Sequence, residues 1–260
     1  MKIASISLNP FWQDKKSSFD LCHKYIKQAS KKSVDLIIFP EMTLTGFSNN
    51  VKLLAEEKDN SSSILKFSKL SKKFKIAIVF GVVIKIKSKI YNQCVFINKE
   101  GKILGDYSKI HSFSYAQEDK YFASGKKISI ISFNDFKIGL SICYDLRFPE
   151  LYSALAKKSD IIINIASWPK KRINHWRTLL KARAIENQLY VIGVNRTGID
   201  GNKLKYNESS LFYNALGKKI KSENFSKMKI YTLLKKDILE YENNFNAKKD
   251  RKIELYKTII

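Results

Sequence analysis

The chain has 260 residues, of which 44% are hydrophobic and 28% are charged, so it can bury the core of one α/β domain of ordinary size. No apolar run is long enough to predict a transmembrane helix, and three cysteines without motif spacing do not predict a disulfide framework. The formal net charge of +24 leaves binding to nucleic acid or to an anionic lipid surface open.

The first residues of the chain predict a strand. Residues 2–8 alternate in a strand-like way and lack the long apolar core of a signal peptide. We therefore expect a cytoplasmic protein without a membrane segment. Cys22 and Cys94 are most simply explained as small buried residues, because free cysteine is among the most buried residue types.

Strand-like and helix-like patterns alternate through the rest of the first half. These patterns predict helices at 17–32 and 62–74, strands at 3–8, 36–39, 76–83 and 128–133, and a hairpin within 91–104.

The second half continues the alternation, without a linker or an internal repeat. The spacing of apolar residues at 148–156 predicts a helix that tolerates Pro149 in its first turn. We interpret the chain as one α/β domain over residues 1–260, with a polar, partly helical tail from about residue 235. The other patterns predict strands at 137–142, 161–165 and 190–195, a helix at 177–188 and a hairpin at 209–221.

Cys143 lies where the strand at 137–142 gives way to a helix. A turn of this kind can hold a nucleophile both exposed and rigid. A lone cysteine is more often a small core residue, so Cys143 becomes a candidate nucleophile only through the residues that accompany it.

Two further segments provide polar partners for that cysteine. Residues 34–39 form an almost purely apolar run, typical of a strand buried on both faces, and Glu41 follows directly after Pro40. A carboxylate at the end of a core strand is costly unless it is paired or functional. Lys109 lies in a polar and aromatic stretch, where a solvated surface lysine is the simplest interpretation because lysine is abundant throughout the chain.

The three histidines do not provide a competing site. His23 falls within an amphipathic helix, His111 follows Lys109 and could orient it or pack nearby, and His175 begins the helix that ends near residue 188. None is tied to Cys143 by the sequence, and their spacing fits no metal site. Metal-assisted hydrolysis is therefore not favoured, and we predict no metal and no cofactor.

Three motifs together resemble those of the carbon–nitrogen hydrolase superfamily, whose members are often called nitrilases. Residues 39–47 match the family's strand-Pro-Glu-x-x-x-x-Gly context, residues 109–111 match its Lys-x-His context, and residues 143–150 match Cys-Tyr-Asp-x-Arg-Phe-Pro-Glu. The motifs occur in the family's order and approximate spacing, and the resemblance covers nearly the whole chain. It implies a four-layer α-β-β-α sandwich.

Amide hydrolysis needs a nucleophile, a base and donors for the oxyanion. Cys143 would form a thioester and release ammonia, and Glu41 would transfer the protons. Lys109 and the backbone N–H of Tyr144 would hold the oxyanion, and a cation beside the thiol would favour the thiolate. Glu118 matches the family's second glutamate, which hydrogen-bonds the lysine and positions substrate, although a solvated loop carboxylate is the alternative. On this basis we expect Lys109→Ala to reduce turnover with little loss of stability.

Further segments resemble the ω-amidase branch of the superfamily, which hydrolyses the side-chain amide of 2-oxoglutaramate and 2-oxosuccinamate. Another superfamily amidase, acting on an N-carbamoyl or peptide-like amide, is the alternative. Glu208 occupies a position where relatives commonly have glycine, which leaves details of the substrate pocket open. The matching segments are residues 164–169, 175–176, 182–188 and 194–201.

Two more residues are candidates for the substrate pocket. Arg147, four residues after the cysteine, could bind a substrate carboxylate in bidentate fashion. It could instead brace the turn by pairing with Asp145, Glu150 or Glu186. Trp168 follows a core strand and could form a pocket wall or pack in the core.

The predicted partners are a small-molecule amide and further copies of the chain. The resemblance implies a homodimer or a higher homo-oligomer that forms through helices. A basic nucleic-acid-binding protein is a distant alternative raised by the net charge. Lysines are scattered through every segment, and arginine, the usual base reader, accounts for only six of the 48 basic residues. We therefore expect no specific nucleic-acid partner.

Overall fold

The computed structural model describes residues 1–259, in which strands and helices alternate along the chain. The strands are β1 (Lys2–Ile6), β2 (Leu36–Ile38), β3 (Glu56–Glu57), β4 (Ala77–Ile86), β5 (Lys89–Ile97), β6 (Ile103–Ser108), β7 (Ile130–Phe133), β8 (Phe136–Ile142), β9 (Ile161–Ala166), β10 (Tyr190–Asn195), β11 (Gly198–Ile199), β12 (Lys205–Tyr206), β13 (Leu211–Tyr213), β14 (Glu223–Phe225) and β15 (Met228–Thr232). The helices are α1 (Lys15–Ser30), α2 (Val51–Leu54), α3 (Ser62–Phe74), α4 (Pro149–Ala156), α5 (Ile173–Asn187), α6 (Lys235–Asn244) and α7 (Ile253–Ile259).

The strands form two main sheets. The first has the order β14-β15-β1-β2-β4-β5-β6, with β3 beside β4, and the second has the order β13-β10-β9-β8-β7. The strands β1, β2 and β4 are parallel, as are β8, β9 and β10. Parallel neighbours need crossover connections, and helices supply most of these here.

The two sheets pack face to face, and helices cover their outer faces. In β1, Ile3 packs against the second sheet, while its neighbour Ala4 packs with α1 and α3. In β9, Ile161 packs against the first sheet, while Ile162 packs with α4 and α5. This alternation arises because successive strand side chains point to opposite faces. The layers are helix, sheet, sheet and helix, so the predicted α-β-β-α sandwich is confirmed.

Helix boundaries follow local capping chemistry. Asp14 caps α1 by accepting a hydrogen bond from the backbone N–H of Ser17, and Ser61 caps α3 by accepting one from Ile64. Pro149 is the first residue of α4, as predicted, because a proline at that position removes no helical hydrogen bond.

Some predicted elements differ from the structure. The strand β8 does not lead directly into α4, because a 3₁₀ turn at Cys143–Arg147 comes between them. The predicted hairpin at 91–104 is the end of the β4-β5-β6 meander. The tail is partly helical as predicted, and its last residue, Ile260, lies outside the described residues. Within residues 1–259, none of the helices combines the length and apolarity that a bilayer crossing requires.

The residues with candidate chemical roles follow strand ends. Glu41 lies shortly after β2, Lys109 directly after β6, Cys143 directly after β8 and Ser167 directly after β9. Two antiparallel steps, from β4 to β5 and from β5 to β6, make β6 run in the same direction as β2. All four residues therefore lie at carboxyl ends of strands, where α/β proteins commonly bind ligands.

Candidate active site

Lys109 is almost fully buried, with 3% of its surface exposed. Its Nζ atom lies 3.0 Å from Oε1 of Glu41 and 2.8 Å from Oε2 of Glu118, and both carboxylates are fully buried. Burial opposes the charge on the amine, but Glu118 and Glu41 outweigh burial and raise the pKa of Lys109 well above its usual value. Lys109 is therefore a buried cation, and its interpretation as a surface lysine is wrong.

Three donors fix the orientation of the Glu41 carboxylate. Oε1 accepts hydrogen bonds from Lys109 and, at 2.8 Å, from Nδ2 of Asn92. Oε2 accepts a hydrogen bond from the backbone N–H of Ser167 at 2.8 Å. The backbone around Glu41 also approaches β4 closely, since a Cβ atom on Gly81 would lie only 2.4 Å from the backbone nitrogen of Met42. A larger residue at that glycine would displace the carboxylate.

Glu118 completes the buried cluster. Its Oε2 atom accepts a hydrogen bond from the backbone N–H of Phe113 at 2.7 Å, and its Oε1 atom accepts one from Asn92 at 3.0 Å. The interpretation of Glu118 as a solvated loop carboxylate is therefore wrong, and the pairing with Lys109 implied by the family resemblance is present. Asn92, which bridges the two glutamates, was not predicted from the sequence; the pair of amides at Asn92 and Gln93, just before the apolar end of β5, was the available signal.

Cys143 adopts a left-handed backbone conformation, with a φ of 46°, directly after β8. It is partly exposed, whereas Cys22 and Cys94 are buried as predicted. Burial of its sulfur and the nearby charge of Glu41 raise the pKa of the Cys143 thiol well above its usual value, although Lys109 acts in the opposite direction. Lys109 therefore favours the thiolate, as expected, but burial and Glu41 exceed its effect.

Asp145 ties the nucleophile turn to the segment that carries Lys109. It is fully buried and accepts hydrogen bonds from the backbone N–H groups of Ile142 and His111, each at 3.0 Å. It also accepts a hydrogen bond from the Tyr107 hydroxyl at 2.8 Å, and the His111 ring Nδ1 lies 2.8 Å from it. The His111 ring stacks on that of the phenylalanine at 148, with 3.7 Å between ring centroids, so this histidine packs beside the site.

A pocket of about 470 Å³, partly open to solvent, lies over Cys143 and Lys109. It brings together all the sequence-predicted pocket residues, Tyr144, Arg147 and Trp168. The lining residues that were not predicted from the sequence are Phe47, Phe113, Ala116, Ser167, Pro169, Arg172, Leu204 and Tyr206.

Arg147 lies on the pocket wall between two aromatic rings. Its guanidinium carbon is 4.9 Å from the centroid of Trp168 and 5.8 Å from that of Tyr144. Within residues 1–259 it forms no ion pair, and Glu186 pairs with a different arginine at 3.0 Å. The alternative in which Arg147 braces the turn through a carboxylate is therefore wrong. One of its nitrogens lies 3.2 Å from Nδ1 of His175, and its remaining donors are available to a ligand.

Trp168 both packs in the core and lines the pocket, so the two interpretations of this residue hold together. It is 3% exposed. Asn195 fixes its backbone by accepting a hydrogen bond from the Trp168 N–H at 2.7 Å and donating one to the Trp168 carbonyl at 2.9 Å. The indole N–H donates to the carbonyl of Arg172 at 2.8 Å.

Glu208 does not change the pocket chemistry directly. Its carboxylate lies 2.7 Å from Nζ of Lys229 and 3.8 Å from Nζ of Lys227, and it does not line the pocket. In the part of the chain that the structure describes, no three His, Cys, Asp or Glu side chains are grouped so as to hold a metal ion.

Comparison with known proteins defines the class. The model of the carbon–nitrogen hydrolase family matches residues 2–233, so the chain belongs to this family. It is 32% identical over 265 residues to a Staphylococcus aureus protein named "hydrolase in agr operon", and the match covers 99% of this chain and 100% of that protein. It is 36% identical over 178 residues to the 2-oxoglutaramate amidase of Bacillus subtilis, with coverage of 67% of this chain and 68% of that protein.

A solved structure is similar over almost the whole chain. XC1258 from Xanthomonas campestris is a CN-hydrolase superfamily protein with an arsenic adduct in its active site. It superposes with a TM-score of 0.89 at 27% identity, and the match covers 96% of this chain and 97% of that one. The predicted fold and the predicted class, an amidase of the carbon–nitrogen hydrolase family, are both confirmed.

Proposed function

We propose that the protein is an ω-amidase, which hydrolyses 2-oxoglutaramate or 2-oxosuccinamate to the 2-oxo dicarboxylic acid and ammonia. The observation that carries this proposal is the buried lysine between two glutamates on the floor of a pocket that also exposes Cys143. The relative from B. subtilis, named for 2-oxoglutaramate, supports the choice of substrate.

In the first half of the reaction, the Cys143 thiol attacks the amide carbonyl carbon and Glu41 accepts its proton. A base is needed because the thiol pKa is raised and little thiolate exists at neutral pH. When the tetrahedral intermediate collapses, the C–N bond breaks and Glu41 returns the proton to the departing nitrogen. Ammonia leaves and the acyl group remains on the sulfur as a thioester.

The oxyanion of that intermediate is held by Lys109 and by the backbone N–H of Tyr144. An ammonium group has three donors, and Nζ of Lys109 lies within hydrogen-bond distance of one oxygen of Glu41 and both oxygens of Glu118, so the oxyanion would share a donor with a carboxylate. The high pKa of Lys109 keeps it charged throughout, so it contributes a fixed positive charge beside the developing negative one. Loss of one such donor typically costs about 3 kcal/mol of transition-state stabilisation.

The second half hydrolyses the thioester. Glu41 takes a proton from water, the resulting hydroxide attacks the acyl carbon, and the proton returns to the leaving sulfur. The free acid and the thiol of Cys143 are regenerated. Glu118 acts by holding Lys109 in place.

Arg147 binds the carboxylate at the far end of the substrate. It is a cation on the pocket wall that has no acidic partner within residues 1–259, and the rings of Trp168 and Tyr144 hold its planar group. Trp168 and Tyr144 flank the short chain between the amide and the acid. The runner-up substrate class, an N-carbamoyl or peptide-like amide, would use the same catalytic residues.

Ammonia release from a substrate panel tests the proposal. We expect turnover of 2-oxoglutaramate or 2-oxosuccinamate well above that of glutamine, asparagine, N-carbamoyl amino acids and simple nitriles. Arg147→Ala should raise KM for the keto acid amides at nearly unchanged kcat. If the N-carbamoyl compounds react fastest, the assigned substrate class changes to N-carbamoyl amides. If the folded protein turns over none of the compounds, the enzyme assignment is contradicted.

Two cysteine variants control for folding. Cys143→Ala should abolish turnover and leave the protein folded, whereas Cys94→Ala should keep turnover because Cys94 is buried between the sheets. Full activity of Cys143→Ala would exclude the thioester route.

The remaining assignments follow from the family resemblance. We propose one catalytic domain, a cytoplasmic location, and a homodimer or higher homo-oligomer formed through helices, with no specific nucleic-acid partner. The match of the family model to residues 2–233 supports the single domain.

A further inference from the structure

Arg172 is a second guanidinium group on the pocket lining. Its guanidinium carbon lies 5.2 Å from the ring centroid of Phe113 and 5.8 Å from that of Tyr115. Like Arg147, it forms no ion pair with any acidic side chain in residues 1–259. The pocket therefore carries two positive charges in addition to the lysine that the glutamates neutralise.

The two arginines are both partly exposed and differ in the rings beside them. Arg147 packs on Trp168, which is 3% exposed, whereas Arg172 packs beside Tyr115, which is 84% exposed. The indole N–H of Trp168 donates to the Arg172 carbonyl, and this bond fixes the backbone of Arg172 at the rim. Arg172 thus lies beside an exposed ring at the rim of the pocket, whereas Arg147 lies beside a buried one.

The rim position determines what Arg172 can do. A guanidinium stacked on aromatic rings retains its charge and most of its donors, and it is weakly hydrated. The exposed residues Lys170 and Lys171 precede it and add to the positive potential at the mouth. Such a potential raises the local concentration of anions and their association rate, and salt reduces this effect.

We propose that Arg172 is a specificity-determining residue, which recruits amides that bear a carboxylate before Arg147 fixes that carboxylate inside the pocket. The choice of anionic amides as substrate class rests on the proposed function. Arg172 acts when the substrate binds, so its charge raises kcat/KM for anionic amides. It leaves kcat and the hydrolysis of uncharged amides unchanged.

Alkylation of Cys143 by iodoacetate and by iodoacetamide tests this role without depending on the natural substrate. The two reagents form the same kind of S–C bond and release iodide, but only iodoacetate carries a carboxylate. The ratio of their rates therefore cancels changes in thiol reactivity. Peptide mapping by mass spectrometry measures the rate at Cys143 and separates it from the buried cysteines.

We expect Arg172→Gln to lower the iodoacetate-to-iodoacetamide ratio about fivefold at low salt, which corresponds to one charge acting at contact distance. Arg172→Lys should keep most of the ratio because it retains the charge. The matched control is Arg177→Gln, which removes the same charge from an exposed position on α5 outside the pocket and should leave the ratio unchanged. At about 0.5 M salt the iodoacetate-to-iodoacetamide ratios of the wild type and the variants should become similar, because salt screens the charge.

Two outcomes would overturn the proposal. One is an unchanged ratio in Arg172→Gln, including the case in which both reagents slow equally. The other is an equal fall of the ratio in Arg177→Gln. Turnover of the substrate panel by the same proteins is a separate readout, so inactivity towards keto acid amides contradicts the proposed function and leaves the alkylation result for Arg172 intact.

Discussion

Lys109 shows how burial changes the role of one side chain. Two fully buried carboxylates hold its amine, so removal of the lysine leaves like charges close together without a cation. The sequence alone predicts a loss of turnover with little loss of stability for Lys109→Ala. Because Lys109 and both carboxylates are buried, we expect its removal to lower stability as well.

Lys109→Ala should lower the free energy of unfolding by about 3–5 kcal/mol and reduce turnover by orders of magnitude. The pKa of Lys109 in the folded protein exceeds its usual value of 10.5. Its ion pairs therefore contribute their full stabilisation at any pH below 10.5. This contribution is lost only as the pH rises through the higher folded value. Urea denaturation at neutral and strongly alkaline pH, with ammonia release at neutral pH, measures both effects.

The exposed lysines Lys72 and Lys158 provide controls for that variant. Substitution of either by alanine should change stability by no more than about 0.5 kcal/mol and leave turnover intact. Equal, mild effects at all three positions would exclude Lys109 from the site.

Glu41 has opposite effects on the resting thiol and on catalysis. Its negative charge raises the pKa of Cys143, yet the proposed mechanism uses it as the base. Glu41→Gln should therefore abolish hydrolysis and, at the same time, shift the alkylation midpoint of Cys143 to lower pH. The rate of reaction with iodoacetamide, followed from about pH 8 to pH 11, measures this shift.

Glu150→Gln is the matched control, because it makes the same substitution at an exposed position close to the cysteine in sequence. It should change neither the midpoint nor the turnover. An alkylation midpoint in Glu41→Gln equal to or above that of the wild type would contradict the electrostatic argument.

At the scale of elements, the 3₁₀ turn at Cys143–Arg147 and the end of β6 form one unit through Asp145. The carboxylate of Asp145 accepts from Ile142, at the end of β8, and from Tyr107 and His111, on either side of Lys109. Cys143 and Lys109 are thereby held in a fixed relation, although they follow strands of different sheets.

Asp145→Asn should lower stability by about 1–3 kcal/mol, because an amide NH₂ then faces N–H and O–H donors in a buried position. Turnover should fall at unchanged KM, since the two halves of the site lose their common support. Stopped ammonia assays and thermal unfolding measure both changes. Asp135→Asn, at an exposed turn, is the control, and a variant of Asp145 with wild-type kcat would contradict the positioning role.

Glu41, Lys109 and Cys143 could be predicted from the sequence because each follows the end of a strand within a short motif. Asn92 could not, since its contact with Glu41 joins positions 51 residues apart and depends on how the strands align in the sheet. Arg172 could not either, because the aromatic rings that hold it come from a loop beside a different sheet. Local sequence indicates strand ends, whereas contacts between elements depend on the assembled fold.

At the scale of the whole molecule, the site depends on the packing of the two sheets. Glu41 and Lys109 follow strands of the first sheet, and Cys143 and Ser167 follow strands of the second. The hydrogen bond from the Ser167 N–H to Glu41 crosses from one sheet to the other. The apolar layer between the sheets, which includes Ile163, therefore sets the distance between Glu41 and Cys143.

The net charge of +24 is also a property of the whole molecule. Lysines occur in every segment, so the charge produces a diffuse field without a base-reading surface. We expect weak RNA binding whose affinity falls steeply with salt and does not depend on sequence. Fluorescence anisotropy with two unrelated single-stranded RNAs, titrated with salt, measures it. A sequence preference that persists at about 0.3 M salt would indicate specific contacts and contradict this interpretation, because screening removes attraction that depends on phosphate charge alone.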